Sequence, residues 1–243
     1  MHAAMVGEFM GTLVLVIVGN GVIACVSLGR SKGLGGGWIA VATGWGFAAM
    51  AGIFTANACG SADAHINPVV TLAVAIATGD YSKVLPYFAA QMLGGFVGSV
   101  IVWLQYLPHW AETPDPWHKL ACFCSHPAIP NVRNNLIAEI VPTFTLVFVA
   151  VSIVSRVARS GAVAGSLTPF LVGALVWAII ISMAGPTGTS MNPARDLGSR
   201  IAHQILPIAG KGHSDWGYAP ISLIGTCVGG ALAGLLIHFL HII

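Results

Sequence analysis

The chain has 243 residues, of which 56% are hydrophobic and only 7% are charged, far below the roughly one quarter found in soluble domains. Such a surface cannot face water everywhere. A formal net charge of +2 also makes no basic patch of the kind that recognises nucleic acid. What remains is a polytopic membrane protein.

A bilayer span needs about 20 mostly apolar residues. The first such stretch, 5–27, begins almost at once, without a basic leader or a small-residue cleavage site. It therefore reads as a retained span and not a signal peptide. Segments 38–58, 84–106, 134–156, 167–185 and 218–240 meet the same criterion. Two apolar pieces, about 68–78 and 193–203, are too short to cross. Each opens on an Asn-Pro pair, Asn67-Pro68 and Asn192-Pro193. Asparagine caps helix starts, and proline suits the first helical position. Each piece is therefore expected to be a half-helix that starts in mid-membrane and ends at a surface. The expected fold is an all-α membrane protein with six transmembrane helices and two re-entrant half-helices.

The two halves of the chain repeat one pattern. Glu8-x-x-x-Thr12 opens the first and Glu139-x-x-x-Thr143 the second, and each leads through apolar spans to an Asn-Pro half-helix. Three spans per repeat is an odd number, so the second repeat must lie inverted relative to the first, with the half-helix amino termini meeting near the midplane. We expect one channel domain over 1–243, with repeats about 1–106 and 134–243 joined by the loop 107–133. Glycine clusters such as Gly94-Gly95 and Gly229-Gly230 let helix backbones approach closely in lipid. The joining loop carries His118, Cys122, Cys124 and His126. Their spacing does not match the usual zinc patterns, so a loop folded over the pore mouth is the preferred reading. No metal and no cofactor is expected. The five cysteines make no evenly spaced disulfide framework.

With His65-Ile66-Asn67-Pro68-Val69 and Met191-Asn192-Pro193-Ala194-Arg195-Asp196 in view, the chain resembles the aquaporins, and within them the glycerol-facilitator branch. The resemblance covers nearly the whole chain. It implies a passive channel in which Asn67 and Asn192, with Pro68, Val69, Pro193 and Ala194, form a central constriction. Half-helix dipoles aimed at that point repel cations and protons. It implies a filter of Trp45, Ile180, Thr189 and Arg195. Phe47 is the alternative to Trp45, and Ile179 or Ile181 the alternatives to Ile180. His65 is implied as pore-lining, and Glu8, Glu139 and Asp196 as structural supports. Valine at position 69, where the family has alanine, is expected to narrow or shift the centre. Asp196, Arg200 and Pro220-Ile221 also match the glycerol branch.

The implied solutes are glycerol, water and other small neutral molecules. Threonine at 189, where glycerol facilitators usually have an aromatic, keeps urea and metalloid acids as an alternative class, and a channel mainly for water is the other alternative. The resemblance further implies a homotetramer in the plasma (cell inner) membrane, with both termini cytoplasmic. That topology leaves Lys83, Arg156 and Arg159 inside against Arg30, Lys32, Lys119, Arg133, Arg200 and Lys211 outside, the reverse of the positive-inside rule. A secondary transporter would need titratable groups along the path, and only Glu8, Glu139 and His65 qualify. An enzyme is not expected, since no Ser-His pairing, His-Glu-x-x-His or intramembrane aspartate pair is present.

Overall fold

The computed structural model describes residues 1–155 and 164–243. In chain order the helices are α1 (His2–Ser27), α2 (Gly37–Ala58), α3 (Pro68–Thr78), α4 (Val84–Gln105), α5 (Pro116–Ala121), α6 (Val132–Val154), α7 (Ala164–Met183), α8 (Pro193–Ile205) and α9 (Ala219–Phe239), with a 3-10 turn at Leu107–His109. The described residues contain no strand. Helices α1, α2, α4, α6 and α9 are long and apolar enough to cross a bilayer, and α7 contributes a shorter apolar stretch, Leu167–Met183. Arg156 and Arg159, used above in the charge balance, lie outside the described residues.

Helix α1 packs on α2 and α4, α2 on α7, and α9 on α6. The half-helices interlock the two halves. Helix α3 rests on α9 from the second half, and α8 rests on α4 from the first. Glycines make both contacts possible. A Cβ at Gly95 of α4 would run into the Ala194 carbonyl, and one at Gly234 of α9 would lie 2.7 Å from the Ala73 carbonyl. Substitution of Gly234 by valine is expected to cost about 1–3 kcal/mol through overpacking and to lower the thermal unfolding midpoint in detergent. Gly21→Ala, at a site with nothing within 4 Å, should leave the midpoint unchanged.

Both half-helices start as their sequence requires. Asn67 caps α3 with Pro68 in the first turn, and Asn192 caps α8 with Pro193 in the same place. Helix α3 ends at Gly79, whose φ of 78° is the left-handed conformation glycine adopts freely at helix carboxyl termini. The packing sets the rotation of α3. Val69 is buried against Gly230, where a Cβ would lie 3.0 Å from its own, and it joins a core cluster with Ala73, Val147 and Ala233. Val69 does not line the cavity described below, and the absence of a side chain at Gly230 gives it room against α9.

Candidate functional site

The two loops that lead into α3 and α8 are built alike. The Asn67 side-chain oxygen accepts from the Val69 amide at 3.0 Å, and that of Asn192 accepts from Ala194 and Arg195 at 3.0 and 3.2 Å. With each oxygen so held, each side-chain nitrogen donates across to the opposite loop. Asn67 Nδ2 donates to the Met191 carbonyl and Asn192 Nδ2 to the Ile66 carbonyl, both at 2.8 Å. An amide nitrogen carries two hydrogens, so each asparagine keeps one for the space between them.

This crossing requires unusual backbone. Ile66 and Met191, each directly before its asparagine, have φ of 45° and 50°, and Ala64 and Thr189 have φ of 45° and 34°. Left-handed conformations at such residues cost about 1–3 kcal/mol each and persist only where the surroundings enforce them. Two buried carboxylates do so. Glu8 Oε1 accepts from Ser61 Oγ at 2.6 Å and the His65 amide at 2.9 Å. Its Oε2 accepts from the Ile66 amide at 2.6 Å and Gln91 Nε2 at 2.7 Å. Glu139 accepts from the Ser190 amide and from the Tyr218 hydroxyl, each at 2.8 Å. The structure therefore sets both glutamates on the loops that enter the half-helices.

A cavity of about 740 Å³ runs alongside these loops. Arg195 and Trp45 line it at one end, with the guanidinium carbon 4.7 Å from the Trp45 ring centroid. Asn67 and Asn192 line its middle, while His65, Asp63 and Ile243 line it toward the side of the chain termini. His65 Nδ1 lies 3.1 Å from Thr71 Oγ1, and its ring meets Tyr87 edge-on. Most of the remaining wall is apolar, including Ile53, Leu146, Val172 and Val176, with Asn57, Thr168 and Ser190 as its polar members.

Five of the expected site residues, Trp45, His65, Asn67, Asn192 and Arg195, thus line one cavity, and others do not. Phe47 is 54% exposed on the outer face of α2, so Trp45 is the aromatic that meets the arginine. Ile180 is buried in the same core cluster as Trp45, and its carbonyl accepts from Trp38 Nε1 at 3.0 Å. The cavity wall on α7 is instead Val172 and Val176. Ile180 lies one turn further along the helix than Val176 and does not line the cavity. Thr189 is likewise buried and off this wall. Pro68, Pro193 and Ala194 shape the helix starts and do not line the cavity.

Asp196 secures the arginine's helix to the long loop. Its carboxylate accepts from the amide and hydroxyl of Ser125, the former at 2.8 Å. It also accepts from Arg200 Nη2 at 3.1 Å and lies 3.6 Å from Arg195 Nη1. Arg200 in turn donates to the carbonyls of Ser125, Ser214 and Asp215, each at 2.8 Å. The loop 107–133 is thereby clipped onto α8 near Arg195. Its histidines and cysteines do not converge, and the described residues contain no group of three metal-ligating side chains. Cys122 and Cys124 are buried, and burial pushes both thiols well above their ordinary pKa. Thiol reagents act on the exposed thiolate, so neither cysteine should be alkylated at neutral pH until the protein is denatured. Peptide mapping by mass spectrometry checks this.

The reading from sequence missed the apolar wall on α6 and α7, because a pore-facing valine or leucine has the same character as a lipid-facing one. It also missed Asn57 and Asp63, two polar residues just before His65 that line the cavity. Their polarity beside an apolar span was a usable signal.

Comparison with known proteins agrees with this geometry. The family model described as "Major intrinsic protein" matches residues 1–237. A probable glycerol uptake facilitator protein from Thermotoga maritima is 46% identical over 234 residues, covering 96% of this chain and 97% of the relative. Glycerol uptake facilitator protein 3 of Lactiplantibacillus plantarum is 44% identical over 237 residues, covering 97% and 96%. Among solved structures, the aquaglyceroporin from Plasmodium falciparum superposes with a TM-score of 0.81 at 27% identity, covering 98% of this chain and 95% of that one. The paired asparagine caps, the crossed loops and these matches lead to one conclusion: the chain belongs to the major intrinsic protein family and has the aquaporin fold.

Proposed function

We propose that the chain is a passive channel for glycerol, water and other small uncharged solutes, and not an enzyme. The observation that carries this reading is the Arg195 guanidinium beside the Trp45 ring, at the end of a cavity that passes both capping asparagines. Trp45 offers an apolar face to a carbon backbone, while Arg195 offers fixed donors to hydroxyls. Ile180 and Thr189 complete the constriction on the side away from the cavity.

Proton exclusion follows from the centre. A water that accepts from both free asparagine hydrogens has its lone pairs engaged and breaks a proton wire. The amino termini of α3 and α8 add about half a positive charge each. The unit is a single channel domain of two inverted repeats, assembled as a homotetramer in the plasma (cell inner) membrane with cytoplasmic termini. The names of the relatives support glycerol as a substrate.

Stopped-flow light scattering on the purified chain in liposomes tests the reading. Fast entry of both water and glycerol, with proton leak at the level of empty liposomes, is the expected result. Ion-coupled, concentrative uptake would mean a transporter, and the channel reading would be abandoned.

A further inference from the structure

Asp63 stands out as the one carboxylate among the described cavity-lining side chains, and unlike Glu8 and Glu139 it accepts from side chains at the start of α4 and not from loop amides. It lies at the mouth nearest the chain termini, on the segment between α2 and α3. Its Oδ2 accepts from Lys83 Nζ at 2.7 Å and from the Tyr87 hydroxyl at 2.6 Å. Both donors belong to the start of α4, and Tyr87 is fully buried. Among the described residues none donates to Oδ1. Burial alone would raise the carboxyl's pKa, but the hydrogen bonds from Lys83 and Tyr87 outweigh it and hold the group below its ordinary value. Asp63 is therefore ionised at neutral pH. Asn57 and His65 line the same end of the cavity.

The chemistry of this set is specific. An ionised carboxylate only accepts hydrogen bonds, whereas an amide both donates and accepts and a neutral imidazole does one at each nitrogen. Hydrogen bonds to a charged acceptor are roughly twice as strong as neutral ones. A solute with adjacent hydroxyls can donate to Asp63 while its neighbouring hydroxyl engages Asn57 or His65. Lys83 balances the carboxylate's charge, so the mouth gains an acceptor without a net charge that would gather cations. At the far end Arg195 offers donors only. The cavity thus has opposite hydrogen-bonding character at its two ends, which suits a molecule whose hydroxyls both donate and accept.

We propose that Asn57, Asp63 and His65 form a hydroxyl-binding subsite for polyols at the termini-side mouth, with Asp63 as its acceptor and with Lys83 and Tyr87 as the groups that position it. This rests on the channel reading above and adds a specificity-determining residue to it. Conduction needs sites that bind well enough to admit a solute yet weakly enough to release it, and an ion-pair-held carboxylate at a hydrated mouth meets both needs.

The test compares Asp63→Asn and Lys83→Met with the parent chain in proteoliposomes, following glycerol and water fluxes over a range of glycerol concentrations. Asp63→Asn keeps the shape but loses the charged acceptor. It should raise the half-saturating glycerol concentration about threefold to tenfold, the loss expected for one partly hydrated charge-assisted hydrogen bond, and leave water permeability unchanged. Lys83→Met keeps the carboxylate and Tyr87, and should change the glycerol value less than about twofold, since a partly exposed ion pair contributes little by itself. Two results overturn the subsite. One is an unchanged glycerol dependence in Asp63→Asn. The other is an equal loss of water and glycerol flux in both variants, which would make the ion pair a structural clip. A parent that conducts water and excludes glycerol would instead defeat the polyol reading itself, before any variant is compared.

Discussion

Replacement of Arg195 by valine is expected to raise proton or cation leak through the channel by at least about tenfold. The guanidinium is a fixed positive charge beside the narrow end of the cavity, 4.7 Å from the Trp45 ring. A unit charge about 4 Å from a permeating ion contributes about 4 kcal/mol at the effective dielectric of a partly hydrated protein site, and 1.4 kcal/mol already corresponds to a factor of ten. The fold should survive the change. Asp196 would keep its ion pair with Arg200 at 3.1 Å and its hydrogen bond from the Ser125 amide at 2.8 Å. Glycerol flux should fall in the same variant, since valine leaves no donor beside Trp45. A pH-sensitive dye trapped in proteoliposomes reads the leak. If the variant stayed as proton-tight as the parent, the barrier would lie wholly at the asparagines and not at Arg195.

The second large effect is expected at Glu8. Removing its carboxylate with alanine strands the amides of His65 and Ile66, the Ser61 hydroxyl and one hydrogen of Gln91, all of which donate to it in the buried interior. Each stranded buried donor costs about 1–3 kcal/mol, so the total is on the order of 5 kcal/mol, comparable with the whole stability of many proteins. The left-handed Ile66 loses the acceptor that holds its amide, and the Ile66 carbonyl that pairs with Asn192 is no longer fixed. Water and glycerol fluxes should both be lost, with a sharp drop in the unfolding midpoint in detergent. Glu8→Gln retains one acceptor oxygen and should be intermediate. Unaltered melting and flux in Glu8→Ala would remove Glu8 from its supporting role.

The two glutamates also show what the repeated Glu-x-x-x-Thr pattern does. Thr12 Oγ donates to the Glu8 carbonyl and Thr143 Oγ to that of Glu139, both at 2.7 Å. The threonines are therefore satisfied within their own helices. Only the carboxylates reach out to the loops, which gives the paired motif its physical asymmetry.

Much of this protein was legible in the chain itself. Spans declare themselves because a bilayer demands long apolar runs whose backbone is satisfied internally. The half-helix starts are local chemistry, an asparagine cap and a proline in the first turn, and they lie where 67–68 and 192–193 put them. What tertiary structure alone decided was direction. Trp45 and Phe47 are two residues apart and so point about 200° apart around α2. Composition cannot say which of them meets Arg195, but packing of the Trp45 ring against Gly19 does. The same holds for Val69, turned away from the cavity by the room at Gly230, and for Val176, which takes the wall position on α7 in place of Ile180. In a membrane protein, core, pore and lipid all favour apolar side chains, so only helix rotation and depth distinguish them.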